Sequence, residues 1–479
     1  MPFSSVTFIW IFLPVVLLAA TIAPRSLRNA VLLVASLGFY AWGGGTVVFW
    51  LLCSIVANFG FGLYVERFLD ADNRRGATGV VAVSVVTNLA LLIWFKYANF
   101  LVDQIATVIS WFGGDGPHLA PIALPIGISF FTFQAMSYSI DVYRRRAHAL
   151  RNPIDFALYI AFFPQLIAGP IVRFHEIAPQ LRKRNVTADD LTAGVLRFAH
   201  GLAKKVIIAD AAARLADQAF ATPNAEMNFL TAWVGALAYT VQIYFDFSGY
   251  SDMAIGLGTM FGFTFPENFR RPYSSVSITD FWRRWHITLS TWFRDYLYVP
   301  LGGSRGSQRE TLRNLMIVFI LTGLWHGANW TFIVWGAYYG VLICLERVTN
   351  QRPVGDADVS ARAARRAVTL LLVMFGWVIF RAVDMSQAGT MMSSMIAPTL
   401  DPLASQVQWG LPGFDTIAVV LGMATALLPG DWVAGPWLAS GRRSARLVAA
   451  RAGLMLTAFP YALLIIQAGT LSPFIYFRF

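Results

Sequence analysis

Apolar runs of helix length recur along this chain, separated by short loops that hold most of its arginine, and few folds accommodate that pattern. Wound as an α-helix, about 20 apolar residues match the hydrocarbon thickness of a bilayer. Runs of this kind lie at about 5–23, 30–44, 47–65 and 76–94, and again at about 367–383, 414–428 and 452–471. Hydrophobic residues make up 57% of the 479 and charged residues 13%, where a soluble domain is nearer a quarter charged. The dyad alternation of a transmembrane β-barrel is missing. The pattern specifies an all-α polytopic membrane protein with room for roughly ten to twelve spans.

Net charge is +11, yet the basic residues cluster at Arg25 and Arg28, Arg144–Arg146, Arg182–Arg184, Arg362–Arg366 and Arg442–Arg451. In a membrane protein, such clusters report topology and contact with anionic lipid, and no nucleic-acid partner is expected. No Lys or Arg precedes Arg25, so the positive n-region of a cleavable signal is absent. The first span is expected to be retained, with the N-terminus outside and Arg25 and Arg28 in the cytoplasm. Two cysteines, Cys53 and Cys344, are too few for a disulfide framework or a cysteine zinc site and read as packing residues. With no internal repeat and no soluble stretch longer than a loop, residues 1–479 read as a single integral membrane domain. Its motif-dense core lies at about 121–346.

Several runs are punctuated. Pro121, Pro125 and Gly127 predict a broken or re-entrant entry to a helix, and Pro164 and Gly169-Pro170 interrupt the next element. After the span at 76–94 come Phe95–Phe100 and then an amphipathic segment that ends at Trp111. The run from Phe229 to Phe263 is too long for one straight span and is expected to break near Ser248-Gly249. Gln242, Asp246 and Tyr250 share a helix face there.

Chemistry points to two histidines. His326, between Trp325 and Gly327, sits in a long apolar run where an ionisable group is costly and marks a functional site. Helical spacing puts Thr322 and Asn329 on its face, and a neutral imidazole can take a proton from a hydroxyl and return it. His286 lies near the interface, followed by Ser290 and Arg294; catalysis, substrate positioning and a structural hydrogen bond all stay open for it. Arg283, Arg284 and Arg294 alternate with Trp282, Trp285 and Trp292. They could hold an anionic donor bidentately or only snorkel. Asp246 and Asp252 need partners in their apolar helix, and ion pairs with these interfacial arginines are expected. His175 and His200 read as structural, His118 and His148 as loop residues, and Lys204 and Lys205 as moderately buried at best. No Gly-x-Ser-x-Gly elbow, P-loop or His-Glu-x-x-His motif occurs, so neither a metal nor a tightly bound cofactor is expected. A transporter of polymer or acyl groups would also use broken helices and buried ionisable residues. The lack of a repeat and the clustering of the two histidines weigh against it.

Taken together, FKYANF (95–100), PIGISFFTFQAMSYSIDVYR (125–144), FFPQLIAGPIVR (162–173), GLAKKVIIAD (201–210), YFDFSGYSDMAIGLG (244–258), FPENFRRPY (265–273), DFWRRWHITLSTWFRDYLYVPLGG (280–303), GLWHGANWTFIVWG (323–336) and the final PFIYFRF resemble the membrane-bound O-acyltransferase family, and within it the bacterial alginate O-acetylases. The resemblance implies a ring of tilted and broken helices around a central tunnel. It places the family's catalytic histidine at His326 and its second position, Asn or Asp in many eukaryotic members, at His286. Arg283, Arg284, Arg294, Asp246, Asn329 and Gln242 are the candidate substrate-binding residues. The resemblance also implies a multi-pass protein of the bacterial inner membrane that moves acetyl from a cytoplasmic thioester, acetyl-CoA as co-substrate, toward an exported polysaccharide such as alginate. Periplasmic polysaccharide acetyltransferase subunits would be its partners. Peptidoglycan, another exopolymer, or D-alanyl transfer are alternatives. His326 would serve as general base or transient acyl carrier.

Overall fold

A computed structural model describes residues 2–349, 359–399, 401–404, 413–428, 433–441 and 444–469, and within them the chain is helical with no strand. The C-terminal PFIYFRF motif and part of the 442–451 basic cluster lie outside the described residues. Five helical stretches there are long and apolar enough to cross a membrane: Arg28–Asp70, Arg74–Trp111, Trp330–Val348, Val359–Arg381 and Ala445–Gln467. Phe8–Ile22 and Ile417–Leu427 are shorter apolar helices. Large apolar side chains such as Val34, Val56, Val86 and Leu456 stand exposed on these segments. An aqueous surface would not carry so many; hydrocarbon solvates them, and the helices satisfy their own backbone groups. The protein is a multi-pass membrane protein. Ten to twelve spans were expected; long helices elsewhere, such as Phe229–Met260 and Gln308–His326, are too polar to meet that criterion.

The chain packs as two compact units. Residues 1–194 and 254–266 form the first. It contains α1 (Leu13–Ile22), α2 (Arg28–Gly44), α3 (Val48–Asp70), α4 (Arg74–Trp111), α5 (Ile128–Tyr143), α6 (Pro153–Ala161), the single turn α7 (Phe163–Leu166) and α8 (Phe174–Arg182). Its core is α5, buried along almost its whole length. A polar ladder ties α5 to α3 and α4: Asn88 donates to Asn58 at 2.7 Å, and the Ser84 and Ser139 hydroxyls meet at 2.9 Å. Pairing these groups removes the cost of burying them. The chain before α5 is irregular, and Gly127 turns it with φ +77°; a Cβ there would lie 2.5 Å from the Leu166 carbonyl, so only glycine fits. Pro164 and Gly169-Pro170 bound α7 and a stretch without helix, as their chemistry requires.

α4 runs unbroken through Phe95–Phe100 to Trp111. That segment contains no helix breaker, and Asn99 fixes the following loop instead, donating to the Leu119 carbonyl and accepting from the Ile122 N–H.

Residues 195–253 and 267–479 form the second unit. The helices α9 (Ala188–Ala203), α10 (Asp210–Phe220) and α11 (Phe229–Met260) precede the short α12 (Ile278–Arg284) and α13 (Ile287–Phe293). Then come α14 (Gln308–His326), α15 (Trp330–Val348), α16 (Val359–Arg381), α17 (Met385–Ile396) and α18 (Gly413–Leu427). The expected break at Ser248-Gly249 is absent, and α11 is one 32-residue helix. Gly249 serves a close crossing: a Cβ there would meet the Gly201 carbonyl of α9 at 2.8 Å.

α14 and α15 form an antiparallel hairpin whose backbones touch through Gly323 and Gly336, with Gly340 packed under the Met316 side chain. Small residues at such a seam let dispersion contacts replace a hydrophobic drive that lipid cannot supply. A Cβ on Gly336 would press into the Phe319 carbonyl, whereas one on Gly389, exposed in α17, would meet nothing within 4 Å. Gly336→Ala is therefore expected to destabilise the protein by about 1–3 kcal/mol. Gly389→Ala should be neutral or stabilising by up to about 1 kcal/mol. Thermal denaturation in detergent compares the two.

Candidate functional site

The second unit brings both histidines against one tryptophan. α14 starts with a capping box, in which the Glu310 N–H donates to Ser307 Oγ and the Ser307 N–H to the Glu310 carboxylate. It ends at His326, where Gly327 turns extended; a Cβ there would strike the Phe332 ring. Asn329 then caps α15, accepting from the Thr331 N–H at 3.1 Å and donating to the Val383 carbonyl at 3.0 Å. So Asn329 does not share a helix face with His326 as its spacing suggests, because the helix stops between them. The Thr322 hydroxyl donates to the Val318 carbonyl.

His326 is the last residue of its helix rather than a mid-span group, and it is 4% exposed. Trp325, Trp335 and Phe380 meet its ring nearly edge to face, at centroid distances of 4.9, 5.0 and 5.1 Å. His286 is wholly buried. Phe247 stands perpendicular to it at 4.7 Å, and Trp325 approaches at 6.0 Å. The Trp325 indole therefore contacts both imidazoles.

His286 lies between α12 and α13 with φ 43° and ψ 54°. A left-handed conformation costs a residue with a Cβ about 1–2 kcal/mol. The surroundings enforce it. Glu346 at the end of α15 accepts from the Ile278 and Thr279 N–H groups and so fixes the start of α12. Residues 268–270 then run beside the turn, with the Arg270 N–H donating to the Arg284 carbonyl at 2.9 Å and the Ile287 N–H to the Asn268 carbonyl at 3.0 Å.

The Asn268 side chain determines the state of His286. Its Oδ1 lies 3.1 Å from His286 Nδ1 and also accepts from the Thr288 N–H at 3.3 Å and hydroxyl at 2.9 Å. Its Nδ2 donates to Ser251 Oγ at 3.1 Å. A backbone N–H can only donate, so the atom facing Thr288 is oxygen and His286 Nδ1 must carry the proton. In a neutral His286 the acceptor is then Nε2.

The charged candidates fall into two groups. Arg283 is exposed, Arg284 pairs with Asp280 at 2.9 Å, and Arg294 reaches Asp295 at 2.8 Å from an exposed position. Arg294 borders a cavity of about 150 Å³ with Trp282, Ser290, Phe319 and Thr322. The acids of α11 do not pair with these arginines. Asp246 binds Lys205 at 2.9 Å, and Lys205 also holds Asp210 at 2.6 Å. Asp252 binds Arg197 at 2.6 Å and Lys204 at 2.9 Å, with His200 at 3.7 Å, and Arg197 continues to Glu267 at 2.6 Å. The Gly201–Gly249 crossing brings α9 close enough for these pairs, so Lys205 is far more buried than expected. Gln242 is buried one turn before Asp246, its Oε1 without a hydrogen-bond partner among the described residues.

In the first unit, His175 bonds Asp141 at 2.7 Å and His148 bonds Glu66 at 3.1 Å. Cys344 Sγ lies 3.6 Å from the Leu312 carbonyl, in the α14–α15 seam. Asn268 and Arg197 were not singled out from sequence. Arg197 was legible in principle: with His200 and Lys204 it repeats at i, i+3 and i+7, a single face opposite the acids of α11.

The family model of MBOAT, the membrane-bound O-acyltransferase family, matches residues 78–395. This chain belongs to the membrane-bound O-acyltransferase family. Its relatives include the probable alginate O-acetylase AlgI of Pseudomonas aeruginosa, 49% identical over 83% of this chain and 75% of that one. The protein of the same name in Azotobacter vinelandii is 47% identical over 83% of this chain and 78% of its own. The peptidoglycan O-acetyltransferase of Helicobacter pylori is 36% identical over 82% and 79%. As a membrane-bound O-acyltransferase, the protein is an acyltransferase and needs an acyl donor as co-substrate. His286, His326 and Asn268 all lie inside the matched segment.

Asn268 gives this acyltransferase a test of the tautomer argument. If His286 serves the reaction, Asn268→Leu should lower acyl transfer by about 10- to 100-fold, the scale known for partners that orient metal-bound histidines. Asn268→Asp keeps an acceptor for the same three donors and should retain more activity. Its carboxylate would stabilise the imidazolium, so the rising limb of the pH–rate profile should move to higher pH. Rates measured across pH in membranes separate the two variants.

Proposed function

We propose that this enzyme takes acetyl from acetyl-CoA on the cytoplasmic side of the bacterial inner membrane and delivers it across for O-acetylation of an exported polysaccharide, alginate. The observation that carries the substrate is the grading of identity: 49% and 47% with two probable alginate O-acetylases, against 36% with a peptidoglycan enzyme. The chemistry rests on the two imidazoles that share Trp325.

His326 acts as general base. As the acceptor hydroxyl attacks the thioester carbonyl, its proton passes to the imidazole. The tetrahedral intermediate then collapses with loss of the C–S bond, and the proton leaves with the thiolate. The aromatic wall excludes water, which favours transfer over hydrolysis. His286, locked by Asn268, orients donor or acceptor through Nε2. Arg294, at the mouth of its cavity, with Arg283 and Arg284 nearby in sequence, would meet the anionic donor, since a guanidinium holds phosphate bidentately. Gln242 and Asn329 are further candidates for substrate contact through their side-chain amides. Periplasmic polysaccharide acetyltransferase subunits receive the acetyl group, because grip on a polymer needs a surface that membrane helices do not offer.

Vesicles given acetyl-labelled acetyl-CoA test this. Label in alginate, in the presence of the periplasmic subunits, is the expected result. Label in peptidoglycan instead would reassign the acceptor, and polymer export with no covalent label would replace the enzyme by a transporter.

A further inference from the structure

The first unit holds a second, unrelated feature: a cavity of about 280 Å³ lined by Leu17, Thr21, Arg28, Leu32, Arg184 and Phe261 among others. Its walls come from the apolar helices α1 and α2, from residues 184–191 and from the end of α11, and two guanidinium groups stand in it. Arg28 donates through Nε to the Ala23 carbonyl at 3.3 Å. Arg184 donates to the Phe261 carbonyl at 3.1 Å and lies 4.2 Å over the Phe263 ring. Neither has a carboxylate within 4 Å among the described residues. Asp155, whose charge reaches Arg184, is itself engaged by Asn29 Nδ2 at 2.6 Å.

Arg184 is in the segment after α8, outside the spans. Burial and the neighbouring Arg28 charge push its guanidinium down to about 10, so both groups are charged and repel. A bound anion would relieve that repulsion. The anion must suit apolar walls as well as cations. Arg28 opens the first long apolar stretch, the level at which lipid headgroups sit, and Leu18 and Ile22 of α1 are exposed beside it. Free phosphate would use the guanidiniums and leave the apolar wall empty.

We propose that this cavity binds an anionic membrane phospholipid, its phosphate bridging Arg28 and Arg184 and an acyl chain lying against Leu17, Thr21 and Leu32. Planar guanidiniums bind phosphate bidentately, which an ammonium cannot do. The site is remote in chemistry from acyl transfer: none of its lining residues belongs to the histidine site.

The full chain in nanodiscs of phosphatidylcholine, with and without added phosphatidylglycerol, tests the assignment by thermal midpoint and by native mass spectrometry. Phosphatidylglycerol should raise the midpoint by at least about 2–4 °C, as occupation of a site in a chain of this size would, and should co-purify. The Arg28→Gln, Arg184→Gln double variant should lose both effects. Arg25→Gln, a nearby exposed cation that does not line the cavity, should keep them. If the double variant does not fold, Arg28→Lys with Arg184→Lys preserves charge without the fork and should show a reduced shift. Equal shifts with both lipids, or an undiminished shift in the double or lysine variants, would overturn the proposal. So would the same shift from inorganic phosphate alone, which would make this a free-anion site.

Discussion

His326→Ala protein is expected to insert and fold, yet to transfer acetyl about 10²–10⁴-fold more slowly than the parent. In the proposed mechanism the imidazole at the end of α14 is the acid–base group, and alanine offers no atom to take the hydroxyl proton. Packing has to be separated from chemistry, because the ring touches Trp325, Trp335 and Phe380. Truncation leaves a cavity among them and costs about 2–4 kcal/mol by the usual scale of large-to-small changes. His326→Phe refills most of that space without restoring a base. If activity follows packing, phenylalanine should rescue it; if it follows the proton, both variants should be equally inactive. Single-turnover transfer of labelled acetyl, with size-exclusion profiles to confirm folding, reads this directly. Acid quenching of the parent adds a further discrimination, since label retained on the protein would mean an acyl-imidazole intermediate. Undiminished transfer by His326→Ala would end the assignment.

The largest stability effect should come from Asp252. Its carboxylate is shared by Arg197 and Lys204 in a nearly water-free setting. Asp252→Leu strands the two cations, and breaking a buried pair by removing one partner costs about 3–5 kcal/mol. Glu267 still serves Arg197, so Lys204 bears most of the loss. Removing Lys204 as well should recover part of it, and a double-mutant cycle in detergent denaturation measures how much. A loss under about 1 kcal/mol would mean that water or another acid reaches the cluster. The site should suffer too: Ser251, next in the chain, accepts from Asn268, and Asn268 holds His286.

Sequence reasoning reached the helical class and the membrane, and brought out the two histidines as candidates, because each rests on local chemistry. Apolar length, loop arginines and a costly buried imidazole are properties of short windows. Its errors came from judging interruptions without their surroundings. Gly249 looked like a break and is a crossing point, because a helix glycine has the same appearance in sequence whether it bends the chain or admits a neighbour. His326 was read within one long apolar run, although the helix ends there at Gly327, which moves Asn329 off the face of His326. Partners were the other blind spot. The arginines nearest in sequence to the histidines were matched to Asp246 and Asp252, whereas α9 and the helical segment 204–209 that continues it supply Arg197, Lys204 and Lys205 from far up the chain. Asn268 escaped because a single amide in a loop has no periodicity to betray it.

The α14–α15 hairpin has one more implication. Because glycines lock the two backbones in register and the helix stops at the imidazole, the position of that group is a matter of counting from the glycine seam. A helix advances about 1.5 Å and turns about 100° with each residue, so a single insertion between Gly323 and His326 would point the ring elsewhere while changing no side chain around it. The hairpin works as a measuring rod, and its length is as much a part of the enzyme as the residue at its tip.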